Sequence, residues 1–219
     1  MDLKEKRNNE RMEQVERRKD EIISAALSLF VEKGIDSTSI NDIAAKAEVG
    51  PATVYRHFEN KPQIVIVAAI KFWQSEISSL MPRILPESSN TCKGIDKIRN
   101  ILNSYVILYQ EYPEFIRFLD EFDNYVVKEK IDAEALRIYE QNILDLRGIL
   151  VKALQEGKQD GTIKQEVEEY IFYATVTHAV LSLSEKLVLR GNILKSDNEI
   201  EAIAQLNLII EMAVKYIST

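Results

Sequence analysis

Glycine and proline are scarce in this chain, at seven and five in 219 residues. So few turn-formers favour long helices over a many-turned β fold. No alternating run of useful length marks a strand. The one cysteine, Cys92, excludes a disulfide framework and a cysteine-built zinc site, and it fits a reducing cytoplasm. The two histidines, His57 and His178, lie far apart and suggest no His-rich metal site. From Asp2 to Glu21 the chain is charged, without the apolar segment of a secretory signal. The most apolar stretch, Tyr170 to Leu189, is interrupted by His178, Glu185 and Lys186. It reads as a buried helix, since a membrane span wants about 20 nearly uninterrupted apolar residues. There is no nucleophile–base pair, metal-ligand cluster or glycine-rich phosphate loop, so no catalytic residue, metal or cofactor is expected. The net charge of −7 argues against nucleic-acid binding by the whole surface but not by a local face.

What is present is helical periodicity, and it predicts nine helices. The first spans about residues 16–33, where Ile22, Ile23, Ala26, Leu27 and Phe30 recur at helical spacing and Gly34 caps the end. Two short ones follow at 40–47 and 51–58, and a fourth from Lys61 to just before Pro82. The remainder lie at about 92–111, 114–129, 133–157, 166–190 and 197–217, punctuated by Pro113, Gly157, Gly161 and Gly191. Residues 133–157 carry one stripe: Leu136, Tyr139, Ile143, Leu146, Leu150 and Leu154. The last helix is apolar on more than one side, so it should face its own core and a second copy of itself. Residues 1–15 mix both charge signs, with Lys4, Lys6, Arg7 and Arg11 against Asp2, Glu5, Glu10 and Glu13. They read as a solvated arm or frayed helix extension.

The most informative stretch runs from Arg17 to Lys61. Ser39 is placed to cap the second helix, with Asp42 three residues on in the capping-box position. Ile40, Ile43, Ala44 and Ala47 form its inner face, and the two alanines admit a close helix crossing. Glu48-Val49-Gly50 makes a tight turn with Val49 as an apolar plug. Pro51 suits the first position of the next helix, where a missing N–H costs nothing. Val54 and Phe58 then face inward, leaving Ala52, Thr53, Tyr55, Arg56 and His57 outside. Two short helices around a three-residue turn make a helix-turn-helix, whose second helix enters the major groove by its N-terminal end.

These residues resemble the DNA-binding domain of the TetR family of bacterial transcriptional regulators. The resemblance is carried by AALSLFVEKG (25–34), Thr38-Ser39, IAAKAEVG (43–50), PATVYRHF (51–58) and Lys61. It departs at Glu48, where glycine is usual and Gly50 would take up part of the strain, and at Pro62, where an acid is common. The resemblance implies an all-α protein in three parts. These are the arm 1–15, a three-helix helix-turn-helix domain over 16–61, and a helical bundle for ligand binding and dimerisation over 62–219. It also implies roles. Thr38, Ser39, Tyr55, His57 and Lys61 would hold phosphate, and Asn41 and Lys46 would reach backbone or flanking bases. Pro51, Ala52 and Thr53 would meet base edges, and Arg56 would read guanine. Between Ser39 and Lys61 three cations face three acids, so binding would depend on placement more than on charge.

In the larger part, Trp73, Tyr105, Tyr109, Phe118, Phe122 and Tyr139 are candidates for an effector pocket. From Pro62 to Thr219 seventeen Lys and Arg stand against twenty-three Asp and Glu, which steers toward neutral or cationic, apolar or aromatic molecules. Leu181, Ile203, Leu206, Ile209, Ile210 and Ala213 are candidates for the dimer interface. The expected function is a cytoplasmic, ligand-responsive repressor binding a palindromic operator as a homodimer. The alternative is a helical dimeric interaction protein without sequence-specific DNA binding.

Overall fold

The computed structural model describes residues 3–84, 92–143, 146–191, 193 and 195–219. Among these, ten α-helices and one short 3-10 turn at Lys195–Asn198 make up the regular structure. The only β feature described is a single bridge between Ile163 and Ser218. No helix among the described residues is long and apolar enough to cross a membrane. The chain divides into two compact units, residues 1–74 with 118–143, and residues 75–117 with 144–219.

The first unit begins with α1 (Leu3–Lys33), thirteen residues earlier than the periodicity predicted. No glycine or proline interrupts residues 3–33, and ion pairs one turn apart, Lys19 to Glu16 and Arg17 to Glu21, support a helix that is polar on all sides at its start. Gly34 stops it with a left-handed φ of 89°. Next come α2 (Ile40–Lys46) and α3 (Pro51–His57). Ile22, Ile23, Ala26 and Phe30 of α1 close a core with Ile43, Ala44, Val54 and Phe58. α4 (Lys61–Ile84) runs through Pro82 instead of ending before it. A proline there, in the last turn, removes one N–H bond and leaves the rest of the helix intact. The unit also takes in residues 118–129 of α6 (Pro113–Glu129) and α7 (Ala133–Asn142), whose first turn is capped by Asp132 through Ala135 N–H at 2.8 Å.

The second unit is organised on α5 (Gly94–Glu111), which packs on α8 (Leu146–Gln159), α9 (Glu169–Arg190) and α10 (Ala202–Ile217). Ile98, Ile101, Leu102, Tyr105 and Leu108 of α5 are buried with Leu150, Leu154, Phe172, Val180, Leu206, Ile210, Val214 and Ile217. The helix expected over 133–157 is two helices. Ile143 caps α7 in extended backbone, φ −92° and ψ 164°, so the continuous apolar stripe spans a break. Nor is Gly157 a punctuation mark. It lies inside α8, where a Cβ on Gly94 would come within 2.2 Å of its backbone nitrogen. Two glycines at one crossing let α5 and α8 approach backbone to backbone.

Candidate nucleic-acid interface

The reading head is set by local chemistry at three points. At the first, the Ser39 hydroxyl accepts from Asp42 N–H at 3.2 Å, and the Asp42 carboxylate accepts from the Ser39 N–H at 2.8 Å and hydroxyl at 2.7 Å. This is the expected capping box. Lys33 adds an ion pair at 3.0 Å. The Ser39 backbone N–H above all, then its hydroxyl and Lys33, hold the Asp42 carboxyl well below the usual carboxylate range.

The second point is the turn. Glu48 itself adopts the left-handed conformation, φ 54°, while Gly50 is ordinary extended backbone at φ −75°. Strain was expected to pass partly to Gly50, and it does not. Glu48 N–H bonds to the Ala45 carbonyl and Val49 N–H to the Ala44 carbonyl. This paired closure demands the left-handed residue at position 48 and no other. The third point is α3, opened by Pro51 and anchored by buried Val54 and Phe58. Pro51, Ala52, Tyr55 and Arg56 are exposed, and Thr53 and His57 are half-buried.

The other expected DNA contacts divide. Ser39, Asn41 and Lys46 are exposed, Lys46 lying 3.8 Å from Glu32. Thr38 is 1 % exposed, and its hydroxyl donates to the Gly34 carbonyl at 2.8 Å. Its side chain braces the α1–α2 turn and is not presented to a phosphate. Lys61 is half-buried with its ammonium 5.4 Å above the Tyr125 ring, donating to the Asp36 carbonyl at 3.5 Å. Burial lowers its pKa. A phosphate contact from Lys61 requires it to leave these partners.

Those partners belong to a latch from α6 onto the α1–α2 turn. Glu121 accepts from Ile35 N–H at 2.8 Å, and Lys128 pairs with Asp36 at 2.9 Å. On the same helix segment, Phe118 and Phe122 join an aromatic cluster. Phe118 meets Phe72 edge-on at 5.1 Å, and Phe122 meets Tyr139 at 4.7 Å. Trp73 Nε1 donates to the Tyr139 hydroxyl at 2.5 Å. Four of the six expected effector residues are thus brought together. The other two, Tyr105 and Tyr109, lie on α5, Tyr105 buried and Tyr109 half-buried.

Sequence reasoning set aside the arm before residue 16, because its charges alternate along the chain. On a helix they separate in part, with Lys6 among the acids and Glu10 at the border. Arg7, Arg11 and Arg18 fall on one face, and Glu5, Glu13, Glu16 and Asp20 on the opposite one. The register of a longer helix was the available signal. Arg11, Arg17 and Arg18 line a cleft of about 720 Å³ with Arg56 and His57 of α3.

An all-helical chain that carries a capped helix-turn-helix with an exposed second helix is a DNA-binding regulator by architecture. Residues 22–68 match the family model for bacterial regulatory proteins of the tetR family, so the chain carries the DNA-binding domain of a TetR-type transcriptional regulator. It is 25% identical over 177 residues to the HTH-type transcriptional regulator YdeS of Bacillus subtilis, covering 76% of this chain and 79% of that one. It is 28% identical over 152 residues to IcaR of Staphylococcus aureus, the negative transcriptional regulator of the biofilm operon icaADBC, covering 69% and 75%. The crystal structure of the transcriptional regulator FadR from Bacillus subtilis with stearoyl-CoA superposes over 89% of this chain and 96% of that one, with a TM-score of 0.62 at 19% identity. The alternative of an interaction protein without DNA binding is not favoured.

The expected dimer residues lie on α9 and α10. Leu206, Ile210 and Ala213 are in the subunit's own core, and Leu181, Ile203 and Ile209 are half-buried. The second apolar face of α10 exists, but it is the register Ala204, Leu208, Met212 and Tyr216, the last three more than 60 % exposed. Helical register separates this set from the core set by about 160°, which composition alone does not reveal.

Proposed function

We propose that the chain is a homodimeric, ligand-responsive repressor of a palindromic operator. The observation that carries this reading is the exposed outer face of α3, with Ala52, Tyr55 and Arg56 held on a helix pinned by Val54 and Phe58. Ala52 and Thr53 approach base edges, Arg56 reads a guanine, and Tyr55 with Ser39 holds phosphate. Selection of duplexes from a random-sequence pool by the purified protein tests the reading. The selected sequences should be two-fold symmetric, with half-sites one helical turn (~10 base pairs) or a multiple apart. Enrichment of no sequence would overturn it.

The effector is predominantly apolar or aromatic and enters at the cluster of Phe72, Trp73, Phe118, Phe122 and Tyr139. Support comes from the rings already gathered there, and from α6 carrying both Phe122 and the latch residues Glu121 and Lys128. A ligand that parts Trp73 from Tyr139 moves the segment that holds the α1–α2 turn, and about 1–3 kcal/mol of coupling suffices for a switch. Trp73 is the sole tryptophan, so its fluorescence reports the site directly. An apolar effector should quench or shift it and raise the melting temperature. Stabilisation by small polyanions alone, with Trp73 silent, would refute this site.

A further inference from the structure

The first half of α1 has a use that the helix-turn-helix does not account for. Residues 5–18 are exposed on every side, so burial of apolar surface does not explain their being helical. What the helix does achieve is to gather Arg7, Arg11 and Arg18 on one face. The face that bears Arg11, Gln14, Val15 and Arg18 forms one wall of the cleft, and Arg56 and His57 at the end of α3 form the other. Four arginines meet there with one carboxylate. That carboxylate, Glu21, is shared between Arg17 at 3.1 Å and Arg18 at 2.9 Å, so positive charge remains in excess. The acidic face is turned elsewhere and held. Asp20 pairs with Lys71 of α4 at 2.5 Å, and Lys71 also donates to Ser24 at 2.7 Å.

His57 lines the same cleft. Nε2 of His57 is buried and makes no hydrogen bond among the described residues. Burial and the cations Arg56, Lys19 and Arg18 hold the imidazole pKa below its usual value, so the ring itself adds little charge. Guanidinium groups converging on one cleft suit a phosphodiester oxygen, which each can engage through two N–H groups.

We propose that this cleft grips the phosphate backbone of the operator beside the groove read by α3, and that the N-terminal half of α1 is thereby part of the DNA-binding surface. The inference rests on the DNA-binding reading above and adds to it a second, sequence-independent contact line. From Leu3 to Arg17 the helix spans about 20 Å, so the extension reaches roughly six base pairs at 3.4 Å each along the duplex. Arg7 and Arg11 follow the flanking strand, and Arg18 and His57 hold the phosphate nearest the recognition helix, leaving Arg56 to the base edge.

The test uses the full chain and a duplex selected by the wild-type protein, first with ten base pairs beyond each half-site and then trimmed flush. The variant Arg7→Gln/Arg11→Gln/Arg18→Gln should lower the slope of log affinity against log salt by about 0.9 for each phosphate contact removed, two to three units in all. Its preference among operator sequences should be unchanged, and trimming the flanks should weaken wild type but not the variant. Lys6→Gln, which removes a charge from the same extension off the arginine face, should leave the slope alone. Thermal melts establish that each variant is folded. A triple variant with wild-type slope and wild-type flank dependence overturns the inference while the DNA-binding reading stands. Failure of the wild-type protein to select any duplex overturns both.

Discussion

Glu48 occupies a backbone position that suits glycine, and it carries the turn of the reading head at φ 54°. The left-handed conformation costs a residue with a Cβ about 1–2 kcal/mol, and glycine loses roughly 0.5–1 kcal/mol of extra backbone freedom on folding. Glu48→Gly should therefore stabilise the protein, by up to about 1.5 kcal/mol on these figures, read as a higher denaturant midpoint at unchanged slope. A lower midpoint would mean that the Glu48 side chain does more than occupy a turn. Asp42 gives a pH-dependent counterpart. Its folded pKa lies far below the ordinary carboxylate value, chiefly through the Ser39 N–H. The stability it contributes is accordingly complete above about pH 5 and lost as pH falls through the usual carboxylate range near 4 toward the depressed value. Asp42→Asn should be less stable than wild type at pH 7, and the gap should narrow below pH 4. Ser39 and Asp42 were readable from spacing alone, because a capping box is a local pattern. Thr38 and Lys61 were not. Their side chains are claimed by the Gly34 carbonyl, and by Tyr125 and the Asp36 carbonyl, and the last of these pairings joins residues far apart in sequence.

Helix boundaries followed from the sequence at Gly34, Pro51 and Pro113, and failed at Pro82, which α4 runs through, and wherever no terminator stood. α1 runs back to Leu3 because nothing in residues 3–33 stops it. The split between α7 and α8 has no glycine or proline to announce it. Glycines inside an element were equally silent. Gly157 reads as a break in the sequence, yet its use is to let α5 cross α8. A methyl on Gly94 would lie 2.2 Å from Gly157 N, 2.3 Å from its Cα and 2.7 Å from the Ala153 carbonyl oxygen, all backbone. Backbone cannot rotate away as a side chain can, so the helices must separate. Gly94→Ala should cost about 1–3 kcal/mol, seen in urea denaturation of the whole chain. Gly50→Ala is the contrast. It meets nothing within 4 Å and has a negative φ, so added bulk there creates no clash. Equal destabilisation by the two would show that the crossing is slack.

At the scale of the molecule, helical register narrows the surface expected to join two copies more sharply than composition does. α10 is apolar on two sides. Leu206, Ile210, Val214 and Ile217 fill the subunit core, and Leu208, Met212 and Tyr216 stand 62–67 % exposed one helical face away. Beside that exposed face lies a groove of about 430 Å³ lined by Val167, Ile171, Phe172, Val176, Ala213 and Tyr216. Ile171 is itself 67 % exposed, and farther along α9 the outward positions Thr175, His178, Ala179 and Ser182 are small or polar. Small residues on α9 admit close approach, and large apolar ones on α10 supply area to remove from water. An isologous two-fold contact uses both, each copy presenting the same surface to the other. A charge belongs on the exposed register, since at Leu206 or Ile210 it would unfold the subunit and reveal nothing about assembly. Leu208→Glu and Met212→Glu together should give folded monomers, with helical content and the Trp73 signal unchanged and the mass in light scattering halved. Operator affinity should fall steeply, because one reading head loses the partner that holds the second head on the same duplex. Wild-type protein that is monomeric at micromolar concentration would refute the dimer, and a double variant that remains dimeric would place the interface elsewhere.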